Sequence, residues 1–465
     1  MIHGFHDPAL GEGAPLAELA AGRHMLRARL TGHWSDTAPA RIVRCARELV
    51  DRGVPGSAPT RIFLVPGRIE VLGKHTDYAG GKSLIAAVER GFVFLVTPRT
   101  DGIVRIAAPG EAASPAQFTA SSDLHVRPGW ANYPMTVARR LARDFPGAVP
   151  GAEISLESNL PLASGMSSSS ALVVGTFLCL AIVGGLVRDP RFIGAVGNPD
   201  ELAAYLAAVE SGQGFGRLPG DAGVGTHGGS EDHTAIIRAE PGRLLQYRFV
   251  PPVLERKVFV PSGYRFVIAS CGVAAEKTGA MRDRYNRAAG LVRSLRDVWH
   301  LAGGRVAASL GAAIRSSPDA LDRLKLAVRH AERPGFPVRD LLTRLDHFVQ
   351  ESEVLVPAAA DALAGDRLQE FGELVDESQR LADELLGNQI PETVELARSA
   401  RLLGAVAASS FGAGYGGSVW ALVETSHAAA FRRAWQSEYA GSFPGPAERA
   451  TFCESAAGPP AMRVT

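Results

Sequence analysis

The stretch that most constrains this chain is LPLASGMSSSSAL, Leu160 to Leu172, which joins a strand-like run at Glu153 to Ser158 to the long apolar segment Ala171 to Val187. Between them lies one small-residue turn, Gly165 and then the serines 167–170, the pattern of a loop opening into a helix. At such an opening the first backbone N–H groups lack intrahelical partners and the helix dipole adds partial positive charge, so an anion is favoured there. Small side chains let a phosphate approach the backbone closely. A serine run alone is more often a flexible turn or an N-cap than a phosphate site.

Composition narrows the class. A formal net charge of +1 leaves no basic excess to neutralise nucleic-acid phosphates, so no nucleic-acid partner is expected. Cys45, Cys179, Cys271 and Cys453 stand far apart with no metal-ligand spacing, which suits a reducing compartment. The opening MIHGFHDPALGEG lacks the basic-then-apolar pattern of a signal peptide, so a cytoplasmic location is expected. Ala171 to Val187 is uncharged and imitates a membrane span. It is at the short end for one and contains Gly175, Gly184 and Gly185, so a buried helix is the better reading and no membrane association is expected.

Taken in order, residues 1–58 hold two helix-like stretches, near Pro15 to Leu30 and Pro39 to Arg52. RIFLVPG from Arg61 reads as a strand delivering the chain into GRIEVLGKHTDYAGG, a loop crowded with polar groups. Gly67 to Lys74 nearly spells a Walker A loop, but five residues separate the glycines and His75 replaces the magnesium-binding Ser or Thr, so that reading is rejected. A helix begins at about Trp130, and an acid-rich helix at Pro199 to Ser211 carries Glu210. The glycine-rich GQGFGRLPGDAGVGTHGGSEDH follows, and then a strand and turn in TAIIRAEPGRLLQYRF. The pattern changes near Phe249 to Pro261, which sets expected boundaries of 1–58 for an extension, 59–250 for a first lobe and 251–465 for a second. In SSFGAGYGGSVWALVE, Gly412, Gly414 and Gly417 satisfy GxGxxG, but a helix is expected before the motif and a strand after it, which excludes a dinucleotide fold.

The serine turn, with Pro161 before Gly165, resembles the PxxxGLGSSA phosphate loop of the GHMP small-molecule kinases. Gly67, Arg68, Gly73, His75, Asp77 and Tyr78 resemble the galactokinase signature GRxNxIGEHxDY, with Glu70 in place of Asn and Lys74 in place of Glu. Gly229 to His233 matches the GIMDQ box in position, the WANY start at Trp130 recurs in galactokinases, and the late glycine loop resembles the third GHMP motif. The tyrosine that galactokinases place after the SCGV-like strand end has no clear equivalent in Val273 to Met281.

The resemblance implies an α+β, two-lobed GHMP kinase fold, with an N-terminal lobe like the second domain of ribosomal protein S5 and a ferredoxin-like C-terminal lobe. It implies a galactokinase-like sugar 1-kinase using ATP and Mg2+ on a small-molecule sugar. By that resemblance Asp232 and Arg68 are catalytic, and Lys74, His75, Asp77 and Gly229 bind the sugar. Trp130, Pro161, Gly165, Met166, Ser167, Ser168 and Ser169 bind ATP, and Ser168, Ser169 and Glu210 hold the metal. An ammonium only donates hydrogen bonds and prefers an anion, so Lys74 suggests a C6 carboxylate, as in galacturonate, unless it points to solvent or pairs with Glu70 or Glu231. The alternatives are a non-catalytic sugar- and ATP-binding regulator and a GHMP kinase for a non-sugar alcohol.

Overall fold

A computed structural model describes residues 13–23, 30, 32–110, 115–161, 164–274, 279–331, 333 and 335–465. Helix α1 (His33–Asp51) precedes the long strands β1 (Pro59–Leu72) and β2 (Lys82–Pro98), followed by β3 (Ile103–Ala107), β4 (Ala116–Thr119), α2 (Asn132–Asp144) and β5 (Ala152–Ser158). The strands form one mixed sheet in the order β1-β2-β5-β3-β4.

The apolar segment forms α3 (Ser168–Val183), buried on nearly every side as an all-apolar helix must be. It lies so close to β2 that a Cβ on Gly175 would meet the Phe94 ring at 2.1 Å. No helix among the described residues is long and apolar enough to cross a membrane. All four cysteines are buried and unpaired.

Next come α4 (Pro199–Ser211), α5 (Glu231–Arg238), β6 (Arg243–Arg248) and β7 (Val253–Phe259). TAIIR, expected as a strand, is helical in α5: Glu231 and Asp232 occupy the favourable first turn, and Ala235, Ile236 and Ile237 bury its apolar face. The expected boundary at 250/251 falls inside a hairpin, because β7 pairs with β6, which pairs with β2.

The second sheet is antiparallel, with β8 (Tyr264–Ser270), β9 (Ala407–Phe411), β10 (Ser418–Glu424) and β11 (Thr451–Ser455) in the order β9-β10-β8-β11. Helices between β8 and β9 include Gly279–Leu301, Val338–Val349, Leu368–Leu381 and Pro391–Leu402. A strand, not a helix, directly precedes the late glycine loop, which makes that loop a hairpin connection. With β10 after it, the dinucleotide reading still fails. After β11, Ala457–Gly458 and Met462–Arg463 return to the first sheet and pair with β2 and β1.

Candidate functional site

The signature is not a loop after a strand. β1 itself runs on through Leu72, with register shifts at Pro66/Arg68 and Glu70/Leu72. Between those bulges side chains alternate, so Arg68 and Glu70 share one face while Ile69 joins the core. A Cβ on Gly67 would come within 2.7 Å of the Met166 carbonyl, which accepts a hydrogen bond from the Arg68 amide. Glycine therefore brings β1 against the serine turn.

The turn itself is strained. Gly165 and Ser167 both have positive φ, at 74° and 58°, and no side chain caps α3. Its first N–H groups are thus left for an anion. Pro161 and Met166 flank this turn, Met166 buried; Leu162 and Ala163 lie outside the described residues. Trp130 is exposed just ahead of α2, so it is not a core residue.

Arg68, buried at the turn, donates from Nε to Asp232 Oδ1 at 2.8 Å and from one terminal nitrogen to the Gly165 carbonyl at 2.6 Å. Its other terminal nitrogen lies 2.7 Å from Asp232 Oδ1. Burial works against the guanidinium charge, but the carboxylates of Asp232, Glu231 and Glu70 hold its pKa above the ordinary value.

Ser170 donates to Glu210 Oε2 at 2.9 Å and to Asp232 Oδ2 at 3.3 Å. The expected metal hydroxyls were Ser168 and Ser169, yet Ser170 is the serine that lines the cavity beside Glu210. Ser167 takes the N-cap position, so the helix count starts at Ser168 and turns Ser170 inward. Glu210 Oε2 also lies 3.0 Å from His233 Nε2. A carboxylate with neighbouring hydroxyls is a hard-oxygen donor set, and among the described residues no cluster of three or more His, Cys, Asp or Glu side chains forms a metal cage. That set fits Mg2+, which completes its shell with phosphate and water.

A cavity opens beside the Arg68–Asp232 pair, lined among others by His75, Asp77, Gly229, Glu231 and Tyr285. Asp77 accepts from the Tyr78 amide at 2.7 Å and the Glu231 amide at 3.1 Å, and burial raises its pKa. A Cβ on Gly229 would sit 2.4 Å from Asp77 Oδ2, so only glycine fits. His75 lies 3.1 Å from the Ala413 carbonyl through Nε2 and 2.9 Å from Tyr78 Oη through Nδ1. A carbonyl only accepts, so Nε2 carries a proton, and both ring nitrogens are engaged within the protein.

Lys74 departs from expectation. It is buried and does not line the cavity, and its Nζ donates to Ser378 Oγ at 2.9 Å and Ser409 Oγ at 2.8 Å. Those hydroxyls take up the ammonium that was expected to face a sugar carboxylate. Nearby, Glu351 Oε1 accepts from the Gly73 and Lys74 amides at 2.7 and 3.1 Å. Tyr285, four residues beyond Met281, lines the cavity and stands 5.2 Å from the His75 ring, centroid to centroid.

The chain matches the GHMP kinases N terminal domain over residues 132–229, the galactokinase galactose-binding signature over 54–98 and the GHMP kinases C terminal over 359–441. It is 31% identical over 398 residues to the galactokinase of Chloroflexus aggregans, covering 83% of this chain and 89% of that one. It is 28% identical over 402 residues to a galactokinase of Homo sapiens, covering 83% and 90%. The Lactococcus lactis galactokinase structure complexed with galactose superposes with a TM-score of 0.72 at 23% identity, covering 89% of this chain and 97% of that one.

Proposed function

Because the chain belongs to the galactokinase family and is a sugar kinase of the GHMP fold, we propose that it transfers the γ-phosphate of ATP to the anomeric hydroxyl of a galactose-like sugar. The observation that carries the reading is the bond of Arg68 to Asp232 and to the Gly165 carbonyl, which joins a base candidate to an uncapped helix opening. Phosphoryl transfer asks for positioning and for neutralisation of charge on the transferred group. Asp232 orients the acceptor hydroxyl and accepts its proton; Arg68 keeps Asp232 ionised and faces the transferred phosphoryl.

The N–H groups of Gly165 to Ser169 cradle the phosphates, with Pro161 and Met166 shaping the turn and exposed Trp130 available to stack on the base. Glu210, with the hydroxyls of Ser168, Ser169 or Ser170, would hold Mg2+. When bound, that ion supplies charge neutralisation on the phosphate tail. Asp77, the Gly229 backbone, His75 and Tyr285 shape the sugar cavity.

A neutral sugar suits this cavity better than galacturonate, because the Lys74 ammonium is already bonded to Ser378 and Ser409. Coupled ADP release over a panel of galactose, glucose, galacturonate and non-sugar alcohols tests the reading, with phosphorus NMR locating the new phosphate. The expected result is galactose turnover with phosphate on C1. Preference for galacturonate, or turnover confined to non-sugar alcohols, overturns it.

A further inference from the structure

Behind the Arg68–Asp232 pair stand two carboxyls that the reaction scheme does not use. Glu70 follows Arg68 on the same face of β1, and Glu231 precedes Asp232 at the start of α5. Both line the cavity, and they are only 4% and 3% exposed.

Glu231 Oε2 accepts from Ser83 Oγ at 2.6 Å, while its Oε1 lies 3.8 Å from Arg68 Nε. Among the described residues no N–H or O–H of fixed position donates to Glu231 Oε1 or to Glu70 Oε1. The two side chains are nevertheless within hydrogen-bond reach of each other. Two ionised carboxylates only accept, so this contact requires a proton on one of them. The same two positions hold Asn and Met in the motifs that this chain otherwise resembles.

We infer that Glu70 and Glu231 share one proton and together act as a positioning pair for Arg68 and Asp232. The inference rests on the sugar-kinase reading. Arg68, Lys74 and Glu351 face Glu70, and Arg68, Asp77 and Asp232 face Glu231. With every acid ionised, Glu70, Glu231, Asp77 and Asp232 would crowd the Arg68 guanidinium, and the Lys74 ammonium faces Glu70 alone. The shared proton removes one negative charge, so Arg68 stays on Asp232 at 2.7 Å instead of moving towards Glu231. Burial is the main force holding the proton: it pushes Glu70 up to about 7 and Glu231 well above the usual carboxylate range.

Galactose-dependent ADP release at neutral pH is measured first, and its absence counts against the kinase reading alone. The pH profile of kcat is then compared for the wild type, Glu70→Gln and Glu231→Gln. The wild type should fall about tenfold per pH unit once the shared proton is lost. A glutamine donates an N–H that no base in this range removes, so each variant should lose that alkaline fall while galactose KM changes less than about twofold. The same alkaline fall in both variants overturns the proposal. If either variant fails to fold, infrared spectroscopy of the wild type decides: the stretch of a protonated carboxyl must be present at neutral pH and vanish at alkaline pH. Its absence at neutral pH overturns the pair.

Discussion

Arg68 and Asp232 lie 164 positions apart in the chain and meet at 2.8 Å, the arginine simultaneously holding the carbonyl of Gly165. One guanidinium thereby ties β1, α5 and the serine turn into a single unit. That tie, with the Arg68 amide bonded to the Met166 carbonyl, fixes the walls of the cavity between them.

Replacing Asp232 by Asn, or Arg68 by Met, should lower kcat by about 10²–10³-fold while leaving galactose binding within about threefold. Steady-state kinetics with calorimetric sugar titration checks this. Loss of binding with kcat retained would reassign both side chains to the sugar.

Ser170 touches Glu210 and Asp232 at once. Ser170→Ala should cost about tenfold or more in kcat, whereas Glu210→Gln should chiefly raise the Mg2+ concentration needed for half-maximal rate. Magnesium titrations of both variants, with Ser168→Ala and Ser169→Ala beside them, separate the roles of the three hydroxyls.

Lys74 is a bond between the lobes, from the turn after β1 to Ser378 and Ser409. Lys74→Glu would bury a carboxylate beside Glu70 and Glu351, and the loss should be about 3–5 kcal/mol. Lys74→Met should be milder, since hydroxyls can pair with water or with each other more readily than a stranded charge can. Denaturant unfolding measures both. Neither variant should change the ranking of galactose over galacturonate.

Stability should also depend on pH through Glu70. Its folded-state pKa is raised from 4.5 to about 7, so the folded chain binds a proton that the unfolded chain has released. That contribution is fully present below about pH 4.5 and is lost as pH rises through about 7, with a slope approaching 1.4 kcal/mol per unit for one proton. Glu70→Gln should flatten this part of a plot of unfolding free energy against pH.

Much of this arrangement was legible in the chain itself. The order of the motifs was enough to expect Arg68, Gly165, Glu210 and Asp232 in one place, and α4 spans the expected Pro199 to Ser211. What escaped was side-chain direction. Which serine faces Glu210 depends on Ser167 adopting a left-handed conformation, and a run of four identical residues carries no mark of that. Where Lys74 points is decided by Ser378 and Ser409, more than 300 positions away. TAIIR reads as a strand, with three β-branched residues in five, yet it continues a helix that opens on Glu231 and Asp232 and packs on the sheet. Tyr285 lies beyond the Val273 to Met281 stretch where the resemblance places a tyrosine, in a YNRAAG run that carries no family motif.

The return of Ala457–Gly458 and Met462–Arg463 to β2 and β1 has a consequence for biosynthesis. Gly458 pairs with Ala87, the residue that β1 sets opposite Arg68, and the Ala461 amide donates to the Ile236 carbonyl of α5 at 2.7 Å. The strand and helix that carry Arg68 and Asp232 are therefore stitched together by a segment that follows the whole of the second sheet in the chain. A nascent chain halted before residue 457 would hold all of the named catalytic side chains on an unfinished platform, so competence should wait for this segment rather than arise lobe by lobe.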